Sequence, residues 1–143
     1  YIYNRVYMIQ SLDTLKLAKE IDKRAGSDGI EVNCLIQINI GNEEQKSGIA
    51  YEDTLKFIYN LMDFKHISIR GLMAIAPNTD DKQYLRRLFR KMFEMKEKII
   101  KENISSVRMD YLSMGMSSDY QIAIEEGSNM VRIGTKIFGK RIY

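Results

Sequence analysis

Short apolar segments alternate with longer amphipathic segments along this chain of 143 residues. The apolar segments lie at 5–9, 32–40, 67–76, 111–114 and 130–133, and we predict that each is a β-strand. They are nearly continuous apolar runs, which is typical of strands buried on both faces. Because such strands alternate with helices, the sequence predicts an α/β fold with a parallel sheet. An open doubly wound sheet and part of a (β/α)₈ barrel are both compatible with this pattern.

Capping signals and apolar spacing predict where the helices lie. Asp13 is the predicted N-cap of the first helix, and Gly26 and Gly29 are predicted to end it. Ser118 and Gln121 fit a capping box at the start of the fourth helix. The third helix is the longest and carries one apolar face, namely Leu85, Leu88, Phe89, Met92, Phe93 and Ile99. The predicted helical ranges are 15–25, 55–62, 81–102 and 117–127, followed by a short turn at 136–138.

Composition and charge exclude several classes of protein. The chain is 45% hydrophobic and 29% charged, and no linker divides residues 1–143, so we expect a single domain. Cys34 is the only cysteine, which excludes a disulfide framework and a cysteine-based metal cluster. No apolar run approaches the roughly 20 residues that cross a bilayer, and no leader resembles a signal peptide, so we expect a cytoplasmic protein without a membrane partner. The net charge of +3 is spread along the chain and does not favour a nucleic-acid partner.

The segment 112–120, LSMGMSSDY, places small and hydroxyl residues between a strand end and a helix start. In parallel α/β folds, ligands bind at the carboxyl ends of the strands, so this segment is a candidate site. Gly115, Ser117 and Ser118 offer N–H groups and hydroxyls at the positive end of a helix dipole, which favours a phosphate. In the alternative interpretation, the serines only start the helix. Spacing alone does not decide between the two.

The segment 130–141, MVRIGTKIFGKR, is a second candidate site after the neighbouring strand. Gly134 lets a ligand approach the backbone closely, and Thr135 offers both a hydroxyl and an N–H group. Arg132 lies in an apolar strand, where an unpaired charge is costly, so we expect it to face a polar mouth or a partner. The two strand ends would together form one phosphate site. Neither a P-loop nor a G-x-G-x-x-G motif is present.

Other polar residues are given structural roles. His66 is the only histidine and has no triad or metal partners in its neighbourhood, so we predict a structural or exposed position and no metal site. Cys34 is predicted to be a small core residue. Glu43–Glu44 would suit an acid–base pair, although a solvated loop is the preferred interpretation. The basic run at 86–91 lies beside the apolar face of the third helix, so we prefer a solvated face to RNA contact.

Four segments at these strand ends resemble those of a known family, in the same order. They are MIQSLDTLKLA (8–18), LIQINIGNEEQKSG (35–48), GLMAIAP (71–77) and LSMGMSSDYQIAIEEGSNMVRIGTKIFGKR (112–141). On these motifs the whole sequence resembles the pyridoxal phosphate homeostasis proteins, also called proline synthetase co-transcribed homologues. Gln10 is a departure, because the family usually has histidine there. The resemblance implies a (β/α)₈ TIM barrel of the alanine racemase N-terminal-domain type.

The resemblance also implies a site for pyridoxal 5′-phosphate (PLP). Ser117, Gly134 and Thr135 would hold the phosphate, and Arg132 would face the pyridine nitrogen. A guanidinium stays protonated and donates to an unprotonated ring nitrogen, which makes the pyridine a poor electron sink. The implied function is therefore an intracellular PLP carrier or regulator, with no catalytic residue assigned and no established turnover. The alternative function is an amino-acid racemase related to alanine racemase.

Finally, the resemblance implies that this chain is a partial barrel, with strands four to eight and their helices. Family members carry PLP as a Schiff base on a lysine at the end of the first strand. No lysine here has that local motif, so we expect it in an absent N-terminal part, and at most weak, non-covalent PLP binding by this chain. Five strands cannot close an eight-stranded barrel. The exposed edges are expected to pair with a second copy, giving a homodimer.

Overall fold

The structure is a computed structural model that describes residues 2–139. Its strands are β1 (Ile9–Leu12), β2 (Val32–Asn39), β3 (Ile49–Ala50), β4 (Ile67–Ala74), β5 (Val107–Met116) and β6 (Met130–Arg132). Its α-helices are α1 (Leu15–Asp28), α2 (Thr54–Leu61), α3 (Lys82–Glu102), α4 (Tyr120–Glu125) and α5 (Thr135–Phe138), and a 3₁₀ turn spans Tyr51–Asp53. The last residues of the 112–141 motif, 140 and 141, lie outside the described residues.

The order of the strands decides between the two predicted architectures. All pairings are parallel, and the sheet runs β1-β2-β4-β5-β6, so that, apart from the short β3, each strand lies beside the one before it. The short β3 lies beside the end of β2, where Ile49 is paired with Ile38. A doubly wound sheet reverses its order at a switch point, whereas a barrel adds strands consecutively. The barrel-type α/β prediction is therefore confirmed.

The sheet is strongly curled. The amide nitrogen of Gln10 in β1 lies 3.4 Å from the sulfur of Met130 in β6. Three strands separate β1 from β6 in the sheet order, so these side chains meet across the concave face. The described chain thus forms an open part of a barrel, with the carboxyl ends of its strands at one end.

The main core lies between the convex face of the sheet and the surrounding helices. The apolar face of α3 packs there: the predicted Leu85, Leu88, Phe89, Met92 and Ile99 are buried, and so is Met95, which was not predicted. Phe93 is only partly buried and packs at the margin of this core. Burying one such large side chain stabilises the fold by roughly 1.5–3 kcal/mol. Within residues 2–139, no helix is both long enough and apolar enough to cross a membrane.

The first strand begins later than predicted, whereas the first helix begins at Leu15 as predicted but has a different N-cap. The strand lies at Ile9–Leu12, not at 5–9, and the exposed Tyr7 lies before it. The N-cap of α1 is Thr14, whose Oγ1 accepts a 3.1 Å hydrogen bond from the Leu17 amide. The predicted cap, Asp13, instead accepts a hydrogen bond from the Gly48 amide at 3.2 Å. Both residues suit an N-cap, and the tertiary contact takes Asp13 away from the helix.

The boundaries around β5 and α4 also differ from the prediction. The strand begins at Val107 rather than 111, and α4 begins at Tyr120 rather than 117. The N-cap position belongs to Asp119, which makes no side-chain capping bond, so the predicted Ser118 capping box is wrong. The Asp119 carboxylate instead accepts the Met116 amide at 2.6 Å. This bond holds the turn that follows β5, and it leaves Ser117 and Ser118 outside the helix.

Candidate functional site

One cleft contains all four residues predicted to bind a ligand. It has a volume of about 740 Å³ and opens at the carboxyl ends of β5 and β6. It is lined by Met116, Ser117, Ser118, Arg132, Ile133, Gly134, Thr135 and Lys136. The loops after the two neighbouring strands therefore converge on a common space, as the position of the two motifs predicted.

Ser117 links the two loops. Its Oγ accepts hydrogen bonds from the Gly134 and Lys136 amides, both at 3.3 Å. These two donors point at one oxygen, and both bonds are long for N–H···O geometry. A Cβ placed on Gly134 would have no atom within 4 Å, so the backbone there borders open space. An anionic oxygen could take the place of the serine hydroxyl as acceptor, because charged acceptors bind N–H groups more strongly than neutral ones.

Arg132 supplies a cation deeper in the cleft. Its Nη1 donates to Ser113 Oγ at 2.5 Å, and its Nη2 donates to the Ala74 carbonyl at 2.8 Å. Both acceptors, a hydroxyl and a backbone carbonyl, are neutral. Burial lowers the pKa of Arg132, and the nearby Asp119 carboxylate acts in the opposite direction. Arginine stays protonated in proteins, so the guanidinium keeps its positive charge beside the cleft.

Two residues of the site were missed in the sequence. Ser113 lies inside the apolar run of β5 and is fully buried, so its neighbours gave no sign that it would bind Arg132. Lys136 follows the predicted Thr135 directly, and its Nζ lies 4.7 Å from the centroid of the Tyr120 ring. That geometry is a cation–π contact, which holds the ammonium at the margin of the cleft.

The residues given structural roles lie away from the cleft. His66 Nδ1 lies 3.3 Å from an Asp22 carboxylate oxygen, and Cys34 is buried. The Glu43 carboxylate pairs with the Lys46 ammonium at 2.7 Å, so it is held within its own loop. No group of three acidic, histidine or cysteine side chains within residues 2–139 could hold a metal ion.

The basic run of α3 pairs with protein groups rather than forming an open patch. Arg86 forms ion pairs with Glu125 and Glu126, and Arg90 pairs with Glu126 at 2.6 Å. The Arg87 guanidinium lies over the Tyr84 ring, 5.7 Å from its centroid. Arg86 and Arg90 stay partly exposed, but both also bind the buried Glu126 carboxylate, a contact that the predicted solvated face did not include.

The arrangement suits a small anionic ligand. The loops offer N–H groups and hydroxyls at one side, and the charged Arg132 donates from the other. A phosphate matches the first group of donors, and an acceptor atom of the ligand matches the guanidinium.

Comparison with known proteins identifies the family of this chain. The family model described as "Alanine racemase, N-terminal domain" matches residues 3–141. A pyridoxal phosphate homeostasis protein of Aquifex aeolicus is 39% identical over 143 residues, which are 100% of this chain and 62% of the relative. One of Haemophilus influenzae is 43% identical over 135 residues, 94% of this chain and 56% of the relative. This chain thus spans little more than half the length of these curated relatives.

Among solved structures, PipY of Synechococcus elongatus with PLP bound has a TM-score of 0.84 and 29% identity, covering 96% of this chain and 63% of that one. These matches confirm the resemblance to the pyridoxal phosphate homeostasis proteins that the sequence motifs indicated. The chain belongs to the alanine racemase N-terminal domain family, and within it resembles the pyridoxal phosphate homeostasis proteins.

Proposed function

We propose that this protein binds PLP in the cleft and acts as a carrier or regulator in PLP homeostasis. The observation that carries the proposal is the half-buried Arg132 guanidinium with neutral partners, placed beside the Ser117 loop junction. The names of the curated relatives and the PLP in the PipY structure support the same ligand.

The phosphate would be held by Ser117, Gly134 and Thr135. The convergent amides of Gly134 and Lys136 support this, because they can bind phosphate oxygens in place of the serine hydroxyl. The open space at Gly134 supports it as well, since the ligand can approach the backbone there.

Arg132 would face the pyridine nitrogen of the cofactor. When bound, PLP supplies an electrophilic aldehyde and a ring that withdraws electrons most strongly when its nitrogen is protonated. A guanidinium does not release its proton to the ring, so Arg132 would keep the nitrogen unprotonated. This favours storage or delivery of PLP over fast transaminase or decarboxylase chemistry, and the alternative function, an amino-acid racemase, is left to a direct assay.

The proposal is tested by titrating the 143-residue chain with PLP and with pyridoxal, which lacks the phosphate. We expect reversible PLP binding at least about tenfold tighter than pyridoxal binding, since charge-assisted phosphate contacts are worth about 1.5–3 kcal/mol each. Ser117→Ala should reduce this preference, whereas Ser105→Ala, a serine between α3 and β5, should not. Equal affinity for the two ligands would contradict the phosphate assignment.

Two further assays separate the carrier from its alternatives. Borohydride reduction should leave most PLP unattached to this chain, because no lysine in it has the family's local motif; near-stoichiometric attachment would contradict this. Alanine racemisation should stay at background, and substantial turnover would favour the racemase function.

We further propose a cytoplasmic location and a homodimer. The single Cys34 is unpaired, so the fold does not depend on an oxidising compartment. The described sheet ends at β1 and β6, whose outer edges leave backbone groups available for another copy. Cell fractionation tests the location. Light scattering tests the dimer, and a monomer at high concentration would contradict it.

A further inference from the structure

Gln10 takes part in a hydrogen-bonded chain that ends at Arg132. Its side chain extends from β1 across the concave face, and its Oε1 accepts a 2.7 Å hydrogen bond from Ser113 Oγ in β5. Ser113 Oγ in turn accepts the 2.5 Å bond from Arg132 Nη1. Gln10 and Ser113 are 103 positions apart in the sequence, and Ser113 and Arg132 are 19 apart, so the curl of the sheet brings the three side chains together.

The donor and acceptor roles in this chain are fixed. A serine hydroxyl has one proton, and that of Ser113 goes to Gln10, which leaves its lone pairs for the guanidinium. The amide nitrogen of Gln10 faces the sulfur of Met130, which can only accept. If the Gln10 amide were rotated by 180°, its oxygen would face the Met130 sulfur, which has no proton to donate. The observed orientation therefore gives each donor in the chain an acceptor.

The two side chains linked to the Arg132 guanidinium in this chain, those of Ser113 and Gln10, are both neutral. Ser113 is fully buried, so water does not replace its partners. A carboxylate at either position would offset the charge of the guanidinium, whereas an amide and a hydroxyl orient it and leave its charge for a ligand.

We propose that Gln10 is a positioning residue that orients the Arg132 guanidinium through Ser113 without reducing its charge. This rests on the proposed function, in which Arg132 meets the ring nitrogen of PLP. The ligand class is thus sharpened to molecules that present an unprotonated acceptor to Arg132 and a phosphate to the Ser117 loop. Gln10 itself need not touch the ligand.

The test uses Gln10→Met, which keeps the length of the side chain and removes the acceptor. Gln37→Met is the matched control, because Gln37 is also a glutamine in a strand of this sheet, and it is buried, but its amide donates to the Ser47 carbonyl. The first readout is NMR of the Arg132 guanidinium in the ligand-free chain. We expect proton exchange there to rise about fivefold in Gln10→Met, corresponding to one lost hydrogen bond, and to stay unchanged in the control.

The second readout is PLP affinity. We expect a loss of about fivefold for Gln10→Met, and a larger loss of about tenfold for Gln10→Glu, since the carboxylate offsets the guanidinium charge. Gln10→His should keep affinity within about twofold, because a neutral imidazole nitrogen can accept the Ser113 proton. A merely structural role would not rank the three variants in this order.

The outcomes separate the two proposals. Unchanged guanidinium exchange in a folded Gln10→Met chain would overturn the positioning role. If that variant does not fold, Ser113→Ala gives the same test, since it removes the middle of the chain. Increased exchange in a chain whose wild type does not bind PLP would support the positioning role and overturn the proposed function.

Discussion

Arg132 shows how a charged side chain can be stable in a strand and remain available to a ligand. Two hydrogen bonds hold the guanidinium, and both go to neutral oxygens, so neither bond pairs it with a counter-ion; the nearby Asp119 carboxylate acts on it only through space. The sequence correctly predicted that this arginine would face a polar mouth, because a lone charge in an apolar strand needs an outlet. It could not predict Ser113 as the partner, since a serine in an apolar run looks the same whether or not it binds a cation.

Replacing Arg132 is predicted to weaken the binding of PLP more than any other single change in the cleft. Arg132→Gln removes the charge and keeps an amide donor, so we expect a loss of affinity of roughly ten- to 100-fold, the value of one charged hydrogen bond. Fluorescence titration measures it. An affinity equal to that of the unaltered chain would show that the ring nitrogen does not meet this residue.

Cys34 is predicted to be inert in the folded protein. Burial raises the pKa of its thiol to about 12, so almost no thiolate forms near neutral pH. Labelling with a thiol reagent should be slow in the native chain and complete after denaturation. Rapid labelling of the native chain would indicate that the strand opens easily or that the thiol is exposed.

At the level of the elements, long periodic segments were predictable and short or interrupted ones were not. The apolar face of α3 identifies its position over many turns. The first half of β5 was missed because Arg108 and Asp110 interrupt its apolar pattern, and β3 was missed because it has two residues. The N-cap of α1 was misplaced by one residue because a contact with Gly48, distant in sequence, selects Thr14 over Asp13.

Gly71 in β4 is predicted to be intolerant of any side chain. Its φ is 154°, and a Cβ there would lie 1.9 Å from the Tyr111 carbonyl oxygen in β5. Gly71→Ala should therefore lower the free energy of unfolding by about 3 kcal/mol or more. Gly134→Ala is the control, because its Cβ would meet no atom within 4 Å, and it should change stability by less than about 0.5 kcal/mol. Urea denaturation compares the two; equal stabilities would contradict the close approach of β4 and β5.

An ion pair between β4 and β5 should make stability depend on pH. Arg70 Nε donates to Asp110 Oδ2 at 2.7 Å and lowers the pKa of that carboxyl, while burial opposes the shift. The unfolded chain then takes up a proton near the usual value of about 3.9, before the folded chain does. Stability should fall as the pH drops from about 4 through the folded pKa.

Asp110→Asn should make that acid-induced loss of stability smaller. The control is Asp63→Asn, at an exposed position away from Arg70. Free energies of unfolding measured from neutral to acidic pH test the difference. The same acid dependence in both variants would show that the Arg70–Asp110 pair does not contribute to it.

At the scale of the whole molecule, the curl of the sheet creates the site. Consecutive strand order aligns the loops after β5 and β6, and the concave face lets β1 contribute Gln10 to the same region. The alternation of strands and helices was enough to predict a parallel α/β sheet. It was not enough to choose a barrel over a doubly wound sheet, because both follow from the same local pattern.

The proposal that this chain is a PLP-binding part-barrel is tested most directly by a crystal structure of the 143-residue chain grown with PLP. We expect the phosphate between Ser117 and the Gly134–Thr135 loop, and the ring nitrogen within hydrogen-bond distance of the Arg132 guanidinium. A ligand bound in that cleft with its phosphate elsewhere, or PLP bound only outside it, would contradict the proposal.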